Sequence, residues 1–527
     1  MDRRSVVRVV AVAAVSAVAI GLGLALLDPQ PSRTAEVPGA LHPARPRAHR
    51  SGRPQTIVMV VFDELPLTSL MGPGGRIDAG RYPSFAGLAR TATWYRGATA
   101  VHDSTALAVP AMLDGRYPRP GLRSDVISHP ANLFTLLAHT YEVNASEEAT
   151  GLCPTSLCEP LPGTAMSHLG GGKVKRFREF VRTIEPRERP TLWFKHVLLP
   201  HVPWQFYPSG VHYRLHAPEP IPGLNGPEGF GDPWLVKVSY QRHLLQLGLA
   251  DRMLGELLAR VRRLGLFRDA LVVVVADHGI GFHVGVERRT VTPTNVEDLA
   301  PVPLIVKLPG QRRGRIADEH VETIDVLPTI LEVARVRTGR VMDGRSLLHP
   351  VPAQESRVTV FHRVETQLNS IGGHYTFDPA ELERRRQAAV RRKLALFGSG
   401  SDLERLYRIG PHPELVGRAA AGLPREDGVA AAQIHQAAEL RHVNPSSGFV
   451  PGEVTGEIPN GRPGGGRPIA LTLDGTIVAV GRTFSLEGSS AENFEVIVPE
   501  AAFRRGSMEA RVFEIVRRRG VLVLRPL

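Results

Sequence analysis

Two runs in the chain are apolar at consecutive rather than alternate positions, Ile57–Phe62 and Leu271–Ala276. A strand apolar on both faces is one buried in a parallel sheet between layers of helix. The first run ends in Asp63-Glu64 and the second in Asp277-His278-Gly279. In open α/β sheets ligands collect beyond the carboxyl ends of the strands, so these two ends predict one shared site. Thr191–Leu199 and Val302–Lys307 read as further strands. From Tyr240 to Leu264, Leu244, Leu247, Leu254, Leu258 and Val261 recur at helical spacing. That helix, Gly265 and the Leu271 strand make an αβ unit of a parallel sheet. Shorter helices are expected over Asn132–His139 and Lys173–Ile184, and a helix that Asp325 can cap begins near Thr323. The polar loop from Thr99 turns into a helix that ends near Gly115 and places Ser104 and Thr105 at its N-terminus.

The ends of the chain have a different texture. Met1-Asp2-Arg3-Arg4 and Arg8 precede an uncharged run, Val9–Leu27. That run is long enough to span a bilayer, and the basic residues before it predict the N-terminus inside and the rest outside. A cleaved signal peptide is the rival, but no A-x-A-like site follows at once, so an uncleaved anchor is expected. Residues 28–54 are rich in Pro, Arg and Ala and read as a stiff basic spacer. Residues 379–396 read as a solvated basic helix, and 445–467 as a Gly/Pro-rich linker or long loop. From Pro468 to Leu527 short alternating segments predict a small antiparallel β module. The expected division is 1–27 basic start and anchor, 28–54 linker, 55–350 catalytic domain, 351–467 helical extension and loop, and 468–527 β module.

At 43% hydrophobic residues the chain is no disordered polymer. The net charge of +12 comes largely from Arg scattered along the chain with no interleaved aromatic platform. That argues against nucleic acid and leaves a membrane surface or an anionic polymer as partners. The only cysteines, Cys153 and Cys158, lie five residues apart, and in an exported chain they read as a short-loop disulfide.

The candidate chemistry sits at the strand ends. Asp63, Asp277 and His278 are a donor set for a divalent cation. A helix N-terminus favours an anion and would help ionise a hydroxyl there. His201, between prolines after the Thr191 strand, can face an anionic substrate, while His196 lies within that strand and is a weaker candidate. Asp251, inside the long helix, reads as a solvated or capping charge.

Taken in order, several segments resemble the sulfatase-like branch of the alkaline phosphatase superfamily. They are the strand ending at Asp63, Ser104-Thr105 with Leu113-Asp114-Gly115-Arg116-Tyr117-Pro118, and Leu199-Pro200-His201-Val202-Pro203. Asp277-His278-Gly279, Val302-Pro303-Leu304-Ile305, Ile324-Asp325-Val326-Leu327-Pro328-Thr329 and Asp343-Gly344-Arg345-Ser346-Leu347 complete the set. The resemblance covers roughly 55–350. It implies an α/β fold with a mostly parallel central sheet and helices on both faces, alkaline phosphatase-like. It departs from sulfatases at C/S-x-P-x-R: the Cys or Ser position falls on Thr105, and the motif's Pro and Arg fall on Leu107 and Val109. A Thr there is similar to the membrane-anchored phosphoglycerol and phosphoethanolamine transferases of the same superfamily, which usually carry several transmembrane segments rather than one. The resemblance implies that Asp63, Glu64, Thr105, Asp277 and His278 hold one divalent metal, Glu64 either as a ligand or as its support. An imidazole among carboxylates favours zinc or manganese over calcium or magnesium. It further implies Thr105 as nucleophile, His201 and Lys307 on the non-bridging oxygens, and His283 as leaving-group acid. The expected activity is hydrolysis or transfer of a phosphate or sulfate ester of a lipid head group or envelope polymer, on the outer side of the cell membrane. A true sulfatase is the alternative within that class, and a degenerate binder of anionic polymers lies outside it.

Overall fold

The computed structural model describes residues 56–527 apart from 215–230, 351–356, 365–366, 368, 429–430, 460, 463 and 487–489. The expected anchor and linker lie outside these residues. Among the described residues no helix is long and apolar enough to cross a membrane.

The two all-apolar runs are neighbouring central strands. β1 (Thr56–Asp63) pairs in parallel with β5 (Leu271–Ala276) on one side and with β4 (Thr191–Pro200) on the other. Every residue of these three strands is buried. The sheet continues through β2 (Thr93–Thr99), β3 (Glu142–Ser146), β6 (Leu304–Lys307) and β7 (Arg315–Glu322), in the order β3-β4-β1-β5-β6-β2-β7. β6 alone runs against its neighbours. The sheet is therefore mixed and mostly parallel, with hydrophobic cores on both faces, the α/β arrangement that was expected.

The direction of β6 corrects one expectation. The chain enters β6 from the carboxyl edge of β5, so Leu304 pairs with Val275 and Lys307 with Val272. Lys307 thus lies at the opposite end of the strands from Asp277. Its ammonium donates to the carbonyls of Arg268 (2.9 Å), Ala270 (3.2 Å) and Leu308 (3.0 Å). All three protons are taken, and the amine closes the bottom of the sheet rather than facing a substrate.

The long helix spans Pro233–Arg263, starting earlier than the periodicity indicates because Asp232 caps it and Pro233 suits its first turn. Asp251 is buried, and its carboxylate accepts from the backbone N–H groups of Ser84 and Phe85, at the start of the helix Pro83–Ala89. The basic helix, Pro379–Phe397, is not simply solvated. Arg386 and Lys393 turn inward, and the Lys393 ammonium donates to the carbonyls of Ser69 and Met71. The helix carries these cations because one face packs on the core of the parallel sheet and finds carbonyl acceptors there. Cys153 and Cys158 form the expected disulfide, Cα to Cα 6.0 Å.

After the hairpin of β8 (Val358–His362) and β9 (Gly373–Phe377), a second seven-stranded sheet begins well before residue 468. β10 (Gln433–Ile434) and β11 (Glu453–Ile458) join β12 (Pro468–Leu473), β13 (Thr476–Ser485), β14 (Glu492–Ile497), β15 (Ala510–Arg518) and β16 (Val521–Pro526). So part of the Gly/Pro-rich stretch is a strand. This sheet is fastened to the first part of the fold: the buried Arg242 guanidinium of the long helix meets Glu453 (3.0 Å) and Glu495 (2.8 Å). The Tyr207 hydroxyl donates to the Val498 carbonyl at 2.6 Å.

Candidate active site

Parallel pairing of β4, β1 and β5 brings their carboxyl ends side by side. Asp63 pairs with Pro200, and the Asp277 N–H donates to the Phe62 carbonyl at 3.0 Å, carrying the ladder one step past the strand. Asp63, His201 and Asp277, far apart in sequence, are thereby neighbours. Gly279 follows because the chain passes against another segment; a Cβ there would stand 2.0 Å from the Asp298 carbonyl oxygen.

Thr105 reaches the same place from β2. That strand also points its carboxyl end to this edge, and the loop after it leads into the helix Thr105–Asp114 with Ser104 as N-cap. Two contacts hold the loop. His102 Nδ1 accepts from the Ser104 N–H (3.0 Å), and the Asp103 carboxylate accepts from the N–H groups of Val291 (2.9 Å) and Arg363 (3.1 Å). Thr105 Oγ1 ends 3.1 Å from His278 Nε2 and 3.4 Å from Asp63 Oδ1. His278 Nδ1 lies 2.8 Å from the Gly279 carbonyl, which fixes its proton there. The Nε2 lone pair therefore faces the hydroxyl.

The electrostatics call for a cation. Burial, and then the neighbouring Asp277 and Glu64, push the Asp63 carboxyl well above its ordinary range. Burial likewise pushes Asp277 up to about 7, although it accepts from the N–H groups of His278 (2.7 Å) and Glu64 (3.2 Å). Its Oδ2 is buried without a hydrogen-bond partner. Asp63, His196 and Asp277 bring ligand atoms within 4.8 Å of one another. His278 Nε2 stands 3.5 Å from Asp277 Oδ2. Two carboxylates, an orphaned oxygen and unprotonated imidazole nitrogens suit a divalent cation. Such a cation would be held by Asp63, Asp277 and the imidazoles beside them.

Glu64 belongs to a different part of the site. Its backbone turns into the left-handed region (φ 56°), and its carboxylate meets Arg288 (2.9 Å), Arg289 (3.0 Å) and His201 (3.4 Å). Burial works to raise its affinity for protons, but His201 and the two guanidiniums outweigh it and hold the carboxyl well below the usual range. Expected as a metal ligand or its support, Glu64 is a counter-ion to arginines and stands outside the group of metal-donor atoms. His201 reaches the site through this carboxylate, with Nδ1 2.6 Å from the Val202 carbonyl; burial lowers its affinity for protons to about 3. His283 bonds to Asp298 at 2.7 Å, a partly exposed pair with no described contact to Thr105, Asp63 or Asp277.

Two groups escaped the sequence, and a third was ranked too low. Arg289 Nη2 stands 3.4 Å from His278 Nε2 while its Nε pairs with Glu64. Lys173, wholly buried, donates to the carbonyls of His201 (3.2 Å) and Val202 (3.3 Å). His196, judged the weaker histidine, sits 3.8 Å from Asp63 Oδ2 with both nitrogens buried and unpartnered. The signal for His196 was its strand, since alternate residues of β4 face the two sides of the sheet. Arg288-Arg289 was visible only as a basic pair in a polar stretch.

A family model described as Sulfatase matches residues 55–336. No curated protein matches the chain. Among solved structures, a phosphonate monoester hydrolase from Silicibacter pomeroyi is 16% identical, over 65% of this chain and 95% of that one, with a TM-score of 0.44. The phosphonate monoester hydrolase of Agrobacterium radiobacter is 13% identical over 65% and 95%, TM-score 0.46. A 2-O GAG sulfatase is 16% identical over 65% and 90%, TM-score 0.45.

Proposed function

The chain belongs to the sulfatase family, and from that premise we propose that it cleaves or transfers a phosphate or sulfate ester through a covalent intermediate on Thr105. It is a hydrolase of the alkaline phosphatase superfamily; the nucleophile, the ester and the acceptor are the proposal. The observation that carries it is the placement of Thr105 Oγ1, 3.1 Å from His278 Nε2 and 3.4 Å from Asp63 Oδ1, at the start of a helix.

Asp63, Asp277 and His196, with Thr105 and His278 beside them, would hold a divalent metal ion, zinc or manganese by its donor set. When bound, that ion supplies Lewis-acid stabilisation of the developing negative charge. The chain's residues do the rest. Thr105 Oγ1 attacks phosphorus or sulfur in line with the leaving alkoxide, and its proton leaves toward the Asp63 carboxylate. Backbone N–H groups at the helix start face the incoming anion. The Arg289 guanidinium, anchored by Glu64, takes up a non-bridging oxygen, and His201 flanks the same carboxylate. Water or an alcohol then displaces Thr105 and regenerates it. The single apolar run at 9–27 supports a membrane anchor with this site on the outer side, where envelope lipids or polymers carry such esters.

The test is turnover of chromogenic phosphodiester, phosphomonoester and sulfate ester substrates, with metal content measured on the same samples. Thr105→Ala should fall by at least about 10⁴-fold with its metal retained, and Thr105→Ser should keep part of the activity. Undiminished turnover in Thr105→Ala refutes the nucleophile. Preference for the sulfate ester names a sulfatase. Bound metal without turnover of any ester points to a transferase that needs its own donor.

A further inference from the structure

Beyond the strand ends, the helix that presents Thr105 borders a cleft of about 570 Å³ along its later turns. Leu107, Ala111 and Leu122 give it an apolar wall, and Arg116, Arg119 and Arg340 line it as well. One acid, Asp114, faces these three guanidiniums from the lining. It is already engaged by Arg340 and by His129 Nδ1 at 2.9 Å. Arg116 donates only to the Val341 carbonyl (3.0 and 2.7 Å), and Arg119 is exposed with no hydrogen bond or ion pair among the described residues. Burial lowers the proton affinity of Arg340, Asp114 raises it, and Arg116 and Arg119 lower it again; Asp114 thus answers Arg340, while Arg116 and Arg119 have no carboxylate partner among the described residues. His129 Nε2, buried in the same wall, has no partner.

The rim adds a second observation. The two most exposed large apolar side chains of the described residues are Val341, 80% exposed, and Ile127, 69% exposed. Val341 follows Arg340 and Ile127 precedes Ser128, and both of those neighbours line the cleft. Single exposed aliphatics are ordinary; two at the mouth of one basic, apolar-walled cleft mark a surface that meets an amphiphile.

We propose that this cleft binds an anionic phospholipid. Its phosphate sits against Arg116 and Arg119, its proximal acyl carbons lie along Leu107, Ala111 and Leu122, and Ile127 and Val341 rest in the lipid surface. A bare anion would leave the apolar wall unused, and a zwitterionic headgroup would bring a cation to guanidiniums that lack a counter-ion. The lining includes none of Asp63, Thr105, Asp277 or His278, and the proposal does not depend on the reaction assigned to Thr105.

The test is calorimetric titration of the full-length chain in a neutral maltoside detergent. The probes are dihexanoyl-phosphatidylglycerol, dihexanoyl-phosphatidylcholine, inorganic phosphate and a soluble polyphosphate. The expected result is saturable binding of the phosphatidylglycerol at one site, at least tenfold tighter than any other probe. Arg119→Glu, which changes an exposed side chain without partners, should weaken it at least tenfold, and Arg116→Gln/Arg119→Gln should do the same. Phosphatidylcholine binding equally well overturns the proposal, as does phosphate or polyphosphate binding as tightly as the lipid. Phosphatidylglycerol binding that Arg119→Glu leaves unchanged belongs to the Thr105 site and also overturns it.

Discussion

Asp277→Asn separates what this carboxylate does for the metal from what it costs the fold. Asp277 is fully buried beside Asp63, and its proton affinity rises from the ordinary 3.8 to about 7 through burial. At 1.36 kcal/mol for each tenfold change in proton affinity, the ionised form lies on the order of 4 kcal/mol above its hydrated reference. The sign follows from linkage. Between about pH 4 and pH 7 the folded protein holds a proton that the unfolded chain has lost, so metal-free stability falls across that window and is level above it. Asparagine has nearly the same shape. Its oxygen can take the place of Oδ1, accepting from the His278 and Glu64 N–H groups, and its amide can face the His278 lone pair at the position of Oδ2. In EDTA at pH 8 the variant should therefore be more stable than the parent by about 2–4 kcal/mol, and by much less at pH 5. Metal should reverse the order: at one thousand times its dissociation constant it stabilises the parent by about 4.1 kcal/mol, and the variant far less. Urea denaturation at both pH values, with and without manganese or zinc, reads all of this. Equal stability in EDTA at pH 8, or equal stabilisation of both proteins by metal, refutes the reasoning.

Glu64→Gln keeps the shape but leaves the buried Arg288 and Arg289 facing a neutral amide; unfolding free energy should drop by about 3–5 kcal/mol in the same denaturation assay. If metal affinity falls while stability holds, Glu64 is a ligand after all. Lys307→Met removes the donor for three carbonyls at the far edge of the sheet; it should cost about 1–3 kcal/mol of stability and leave turnover of any ester unchanged at a temperature where the variant is folded. A large loss of turnover in folded Lys307→Met would return that amine to the site.

How far the site could be read along the chain depends on which physical constraint each residue obeys. Asp63 and Asp277-His278 were legible because a doubly buried strand must be apolar throughout, so the first polar residue after it marks the edge where ligands gather. Thr105 was legible through a helix start and the surrounding segments. The disulfide was legible because only two cysteines exist. Lys307 misled because a strand's composition does not state its direction, and an antiparallel β6 carries its end to the wrong edge. The basic helix at 379–397 misled because a buried cation is permitted wherever carbonyls receive it, and those of Ser69 and Met71 are more than 300 residues away.

The sequence by itself determined the elements, the strand ends and the chemical types gathered there, since local periodicity and composition are properties of neighbours along the chain. Only the tertiary structure decided which charges meet. It set Glu64 against Arg288 and Arg289, brought His196 beside Asp63, and tied the His201 loop to a sheet more than 200 residues later. These pairings are fixed by strand order, register and direction, and the energy that selects them comes from burying groups distant in sequence against one another.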